Sequence, residues 1–233
     1  MRNASMRPCV WMLLTMMPLC VGAKKYSAEP ITARVVEAGT QEPIEGVVVV
    51  AAWVLEGGLE GGNIKGVMTV METITDQSGA FHFAGWGLKS KPSYIRWVDD
   101  ARLKSYAPEF FLFKSGYRAV TLQNQSTEAE EHDPSAHTSN WNGKTMPLKR
   151  FTGTLHEYGL DLESFNYMLS YMVEPRCTWT QIPLMIKALG RQTRIFRAAN
   201  ARVGTFYDEL VDNEEYRARD GCSVKAFLRE HGE

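Results

Sequence analysis

The chain has 233 residues, enough for one domain or two small ones, and 44% of them are hydrophobic, which supports a globular core. A formal net charge of −1 gives no whole-molecule attraction to nucleic acid or to anionic membranes, so nucleic acid is not an expected partner. The compartment is better read from the cysteines and the opening residues.

Arg2 and Arg7 flank the start of an apolar run over 9–20 that is too short to span a bilayer, and Val21-Gly22-Ala23 offers small residues for cleavage. Residues 1–23 therefore read as a signal peptide. The expected mature chain starts at Lys24, has no stable membrane insertion, and works in the periplasm or cell envelope. A lipoprotein through Cys20 is disfavoured because Leu19 stands where that processing wants a small residue. Once the leader is removed only Cys177 and Cys222 remain. An even count in an exported chain predicts one disulfide, and both lie where elements end and the backbone can adapt.

Residues 31–36 alternate and form the first expected strand. Residues 47–54 are apolar without interruption and begin with four valines. A run this short and β-branched predicts a strand buried on both faces. Residues 67–75 alternate, and Asp76-Gln77-Ser78-Gly79 suits a type I turn. Phe81 and Phe83 then point one way and His82 the other. Residues 86–108 are aromatic and basic with no sustained period, which predicts a long ordered loop. Residues 109–114 and 117–123 are the last two expected strands, with Gly116 permitting the bend between them.

Pro43-Ile44-Glu45-Gly46-Val47-Val48-Val49, Thr73-Ile74-Thr75-Asp76 with Gly79, Phe81-His82-Phe83, and Lys114-Ser115-Gly116-Tyr117 together resemble the carboxypeptidase regulatory-like (transthyretin-like, prealbumin-type) domain family over residues 31–123. The resemblance implies a Greek-key β-sandwich. Two departures from the family pattern are a hairpin lengthened over 57–66 and the insert at 86–108. The chain lacks the chemistry of related enzymes. No histidine gives the paired zinc ligands of a peptidase, since His156-Glu157 runs on into Tyr158-Gly159-Leu160. Tyr117-Arg118 and Tyr216-Arg217 lack the Gly-Ser that completes the motif of the transthyretin-like hydrolases.

Residues 124–150 are polar and read as a linker; Trp141-Asn142-Gly143 near its end suggests a turn that packs back on the sheet. Beyond it Leu155, Tyr158, Leu162, Phe165, Leu169 and Met172 recur at spacings of three and four, one face of a helix. Thr154 and Glu157 suit a capping box, Gly159 weakens the first turn, and Pro175 ends the helix. A second helix is expected over 181–201, with short ones at 206–211 and 224–229, the last capped by Ser223. The expected architecture is mainly β with a helical C-terminal segment: signal peptide 1–23, β-sandwich 24–123, linker 124–150 and helical tail 151–233.

Candidate binding residues are few. Trp86, Tyr94, Trp97 and Trp141 could form an aromatic platform for sugar rings or a partner's edge, or be the insert's own small core. Residues 176–207 hold six basic residues and no acidic one; Lys187, Arg191, Arg194 and Arg202 fall near one helix face, suited to an anionic surface or simply solvated. Glu128, Glu130, Glu131, His132, Asp133 and His137 lack EF-hand spacing and read as a solvated run, so neither metal nor cofactor is expected. With no nucleophile motif in view, the expectation is a non-catalytic exported module acting in binding or assembly, its partner an envelope protein or a glycan. The alternatives are a hydrolase with its site between sheet and tail, and a glycan-binding module.

Overall fold

β3 (Val48–Gly57) lies between two hydrophobic cores. The computed structural model describes residues 24–57, 63–95, 100–104, 107–124, 136–173, 175–201 and 203–232. Val49, Ala51, Trp53 and Leu55 enter one core; Val48, Val50, Ala52 and Val54 enter the other. This division is the period-2 consequence of a pleated strand, and an unbroken apolar run is what two covered faces demand.

β3 pairs antiparallel with β4 (Asn63–Ile74) on one side and β8 (Glu109–Phe113) on the other, and β9 (Val120–Leu122) extends the sheet beyond β8. β8 follows the same rule: Phe110 and Leu112 face one core, Phe111 and Phe113 the other. The first core is completed by two three-stranded sheets. One has the order β11 (Thr145–Leu148), β2 (Ile31–Glu37), β5 (Ala80–Phe83). The other has the order β10 (Ala136–His137), β1 (Lys25–Ala28), β6 (Trp86–Ser90). The turn into β5 forms as expected: the Gly79 amide donates to the Asp76 carbonyl at 2.9 Å and the Ser78 amide to the Asp76 carboxylate at 2.8 Å. Gly79 has φ +71°, and a Cβ there would meet the Val35 carbonyl, so glycine is required. Phe81 and Phe83 are buried and His82 is exposed.

Two segments differ from expectation. Residues 86–108 are not one loop: β6 pairs antiparallel with β1, and β7 (Arg102–Leu103) pairs with β3. Residues 124–150 are not simply a linker, because β11 pairs in parallel with β2 and buries Met146 and Leu148. Parallel pairing joins strands far apart in sequence, which local patterning does not reveal. Asn124 fastens the start of this segment, its Nδ2 donating to the Thr138 carbonyl at 2.8 Å. Residues 1–23, where a signal peptide is expected, and the acidic run 128–133 lie outside the described residues.

The second core is closed by helices α1 (Leu155–Val173), α2 (Pro183–Ala198), α3 (Phe206–Asp212) and α5 (Val224–Glu230), with α4 (Glu214–Arg219) between the last two and a 3-10 turn over Pro175–Gln181. α1 begins with the expected box: the Thr154 amide donates to the Glu157 carboxylate at 2.7 Å and the Glu157 amide to Thr154 Oγ1 at 3.2 Å. Tyr158, Leu162, Phe165, Leu169 and Met172 are buried, and Phe165 lies 5.9 Å from the ring of Phe111 and 6.1 Å from that of Phe113. The Tyr158 hydroxyl donates to the Tyr117 carbonyl at 2.9 Å, and burial pushes its pKa up to about 12. Ser223 caps α5 by accepting from the Ala226 amide at 3.1 Å. Cys177 and Cys222 form a disulfide, with Cα atoms 5.8 Å apart, beside buried Trp179 and its edge contact with Phe227 at 4.9 Å. The fold is thus mainly β with helices toward the C-terminus, and no helix among the described residues is long and apolar enough to cross a membrane.

Candidate functional site

The buried stripe of α1 leaves Glu163, Tyr167 and Tyr171, three residues at successive spacings of four, on another side of the helix. Tyr167 is 67% exposed and Tyr171 46% exposed. Their ring planes are 3° from parallel with centroids 6.2 Å apart. Large apolar surface left in water at a helix whose opposite face is fully packed is worth noticing.

These tyrosines border an open cleft of about 420 Å³ between α1 and the start of α3. Glu163, Asn166 and Ser170 line it from α1, and Thr205, Phe206 and Glu209 from across it. The far wall is fixed locally. The Thr205 amide donates to the Asp208 carboxylate at 2.8 Å, Thr205 and Thr193 share a hydroxyl contact of 2.6 Å, and Arg197 pairs with Asp208. Asn166 Oδ1 accepts from the Phe206 amide at 3.2 Å and so ties the two walls together. That bond also orients the amide. Asn166 is 9% exposed, and its Nδ2 has no hydrogen-bond acceptor among the described residues. The Ser170 hydroxyl donates to the Tyr167 carbonyl at 3.0 Å rather than to a base. Glu163 has no ion pair among the described residues, and no lysine or arginine is among the described residues lining the cleft. The site therefore has an aromatic rim, the Glu163 carboxylate, and one buried donor without an acceptor among the described residues.

The residues singled out in the sequence are placed elsewhere. Trp86 is 7% exposed and packs edge-on against Trp53 at 5.9 Å, so it belongs to the inter-sheet core and not to a surface platform. The Tyr94 hydroxyl donates to the Val67 carbonyl at 3.1 Å and accepts from the Val67 amide at 3.2 Å, clamping β4. Trp141 is half-buried, and its indole N–H donates to the Gln123 carbonyl at 3.1 Å. Trp97 and Arg202 lie outside the described residues. Of the two readings open for these aromatics, the three that are described serve as core and fastenings. Lys187, Arg191 and Arg194 do share one side of α2, but Lys187 acts on the Glu72 carboxylate across the interface with β4. Arg191 borders a smaller groove of about 220 Å³ together with Lys114, whose ammonium donates to the Glu45 carbonyl at 2.7 Å. His137 is buried near the ring of Tyr26.

Sequence reasoning passed over Tyr167 and Tyr171 because they fall off the apolar stripe of α1. The spacing of Glu163, Tyr167 and Tyr171 is readable in the sequence; the opposing wall is not, since it comes from forty residues further along.

No protein-family model matches the chain, and no curated protein matches it. Among solved structures it is similar to a 3-chlorocatechol 1,2-dioxygenase from Rhodococcus opacus 1CP, at 12% identity and a TM-score of 0.31, over 58% of this chain and 64% of that one. It is also similar to a 9R-lipoxygenase from Cyanothece PCC8801, at 11% identity and a TM-score of 0.24, over 75% of this chain and 28% of that one. The chain spans less than two thirds of the length of either protein, and likeness at this level carries no argument about activity.

Proposed function

We propose that the chain is a non-catalytic, exported β-sandwich module that acts by binding or assembly in the periplasm or cell envelope. The observation that carries the reading is the α1–α3 cleft: an exposed tyrosine pair beside a buried donor that lacks an acceptor, with the one serine hydroxyl on its α1 wall turned to a backbone carbonyl. Such a lining offers recognition contacts, and its serine hydroxyl is not held by a base. The Cys177–Cys222 disulfide supports export, because bridges of this kind persist in oxidising compartments. Membership of the carboxypeptidase regulatory-like family, with its Greek-key strand order, is part of the proposal; it rests on the motifs around Gly46, Asp76, Gly79 and Gly116.

Cell fractionation with intact-mass measurement tests the export half, and the expected species starts at Lys24 outside the cytoplasm. Incubation of the purified mature chain with envelope extract tests the binding half. Retention of an envelope component without its breakdown is expected. A full-length cytoplasmic species overturns export, and release of new reducing ends or free amines from envelope polymers overturns the non-catalytic reading.

A further inference from the structure

We propose that the α1–α3 cleft is a saccharide site, an inference that rests on the binding reading above and names its ligand class. The argument turns on hydrogen-bond roles. The Glu163 carboxylate can only accept, Asn166 Nδ2 can only donate, and the tyrosine hydroxyls can do both. Asn166 cannot reverse its amide without losing the bond its Oδ1 accepts from the Phe206 amide. Its N–H is therefore a buried donor waiting for an acceptor, a condition folded proteins avoid. One turn away on the same helix, exposed Glu163 is free to accept from a ligand donor.

A hydroxyl group supplies both roles from one oxygen, and neighbouring hydroxyls on a ring supply them side by side. A cation does not. An alkylammonium or guanidinium group would meet Glu163 and could lie over a tyrosine face, but it would leave the Asn166 N–H unmet and bring positive charge toward it. The parallel rings of Tyr167 and Tyr171 offer an apolar surface on which the C–H face of a pyranose can rest while its hydroxyls turn to the polar wall. Both rings stand on a helix whose other face is locked by Leu162, Phe165 and Leu169, so little order has to be created on binding.

The test uses the mature chain on an immobilised array of hexose, N-acetylhexosamine and uronic-acid oligomers, followed by calorimetric titration of the best oligomer in solution. Three variants accompany it: Tyr167→Ala, Tyr171→Ala, and Asn166→Asp, which keeps the acceptor for Phe206 and removes the donor. Saturable binding is expected, weakened about tenfold or more in each variant at unchanged Tm. Should Asn166→Asp fail to fold, the two exposed tyrosines decide. Absence of binding to every oligomer, equal binding by the tyrosine variants, or cleft-dependent binding of trilysine in place of a sugar overturns the inference. If the tyrosine variants still retain envelope material as the wild type does, the saccharide site is wrong and the module reading stands.

Discussion

Glu72 on β4 accepts a hydrogen bond from the backbone amide of Leu184 at 2.7 Å, and its other oxygen accepts from Met185 at 3.0 Å. Pro183 opens α2 and Ile182 offers no capping side chain, so the free amides of the helix start are met by a carboxylate from the sheet. This contact fixes where α2 sits on the larger sheet. Burial raises the Glu72 pKa above its ordinary value, and the two amide bonds and Lys187 only partly offset it. A carboxylate raised in the folded state contributes stability that is fully present below the unfolded value of about 4.3 and lost as pH rises through the folded value. Relative to Glu72→Gln, the wild type should therefore gain stability as pH falls from about 7 toward about 4.3. Urea unfolding of both proteins across that range checks it; a flat difference, or one of opposite slope, contradicts the burial of this group.

Val49→Asp should cost on the order of 3 kcal/mol or more, because Val49 is fully enclosed between the larger sheet and β2, β5 and β11 and a carboxylate there has no partner. The amides of Val48 to Ala52 pair on both sides, with β4 and β8, and should exchange only through global unfolding. Hydrogen exchange read residue by residue will show them fast if the strand is in fact an edge.

Trp86→Ala should destabilise by about 3–5 kcal/mol, the range for removing a buried aromatic. Trp86 packs on Trp53 inside the inter-sheet core. Chemical denaturation measures the loss; a stable variant would return Trp86 to the surface.

Gly159→Ala should destabilise the protein, although alanine is the better helix former by about 1 kcal/mol. A Cβ at position 159 would overlap the side chain of Val203, so the close approach of Val203 to α1 depends on glycine. Overpacking of this kind costs about 1–3 kcal/mol. A rise in Tm on substitution would show that the segment yields freely.

The disulfide joins residues 45 apart in sequence. Chain-entropy reasoning gives a loop of that length about 4 kcal/mol of stabilisation. Cys177→Ser with Cys222→Ser should lose most of it and loosen the helical layer first, since α5 and the 3-10 turn meet at the bridge. Thiol titration of the denatured, unreduced chain should find no free thiol at either position, and two reactive thiols would rule the bridge out.

Local periodicity determined much of this protein. The two-faced burial of β3, the turn at Asp76–Gly79, the buried stripe of α1, the Thr154–Glu157 box and the Ser223 cap all follow from residue type and spacing within a few positions. The cysteine pairing followed from a count. What periodicity leaves open is what covers a buried face. Val48, Val50, Ala52 and Val54 had to be enclosed, but only the tertiary structure shows that α1 and α2 enclose them. The parallel pairing of β11 with β2, the burial of Trp86 and the α1–α3 cleft share that origin. Each joins residues that lie far apart along the chain, and the free energy selecting them comes from packing and hydrogen bonding between elements, which no short window of sequence contains.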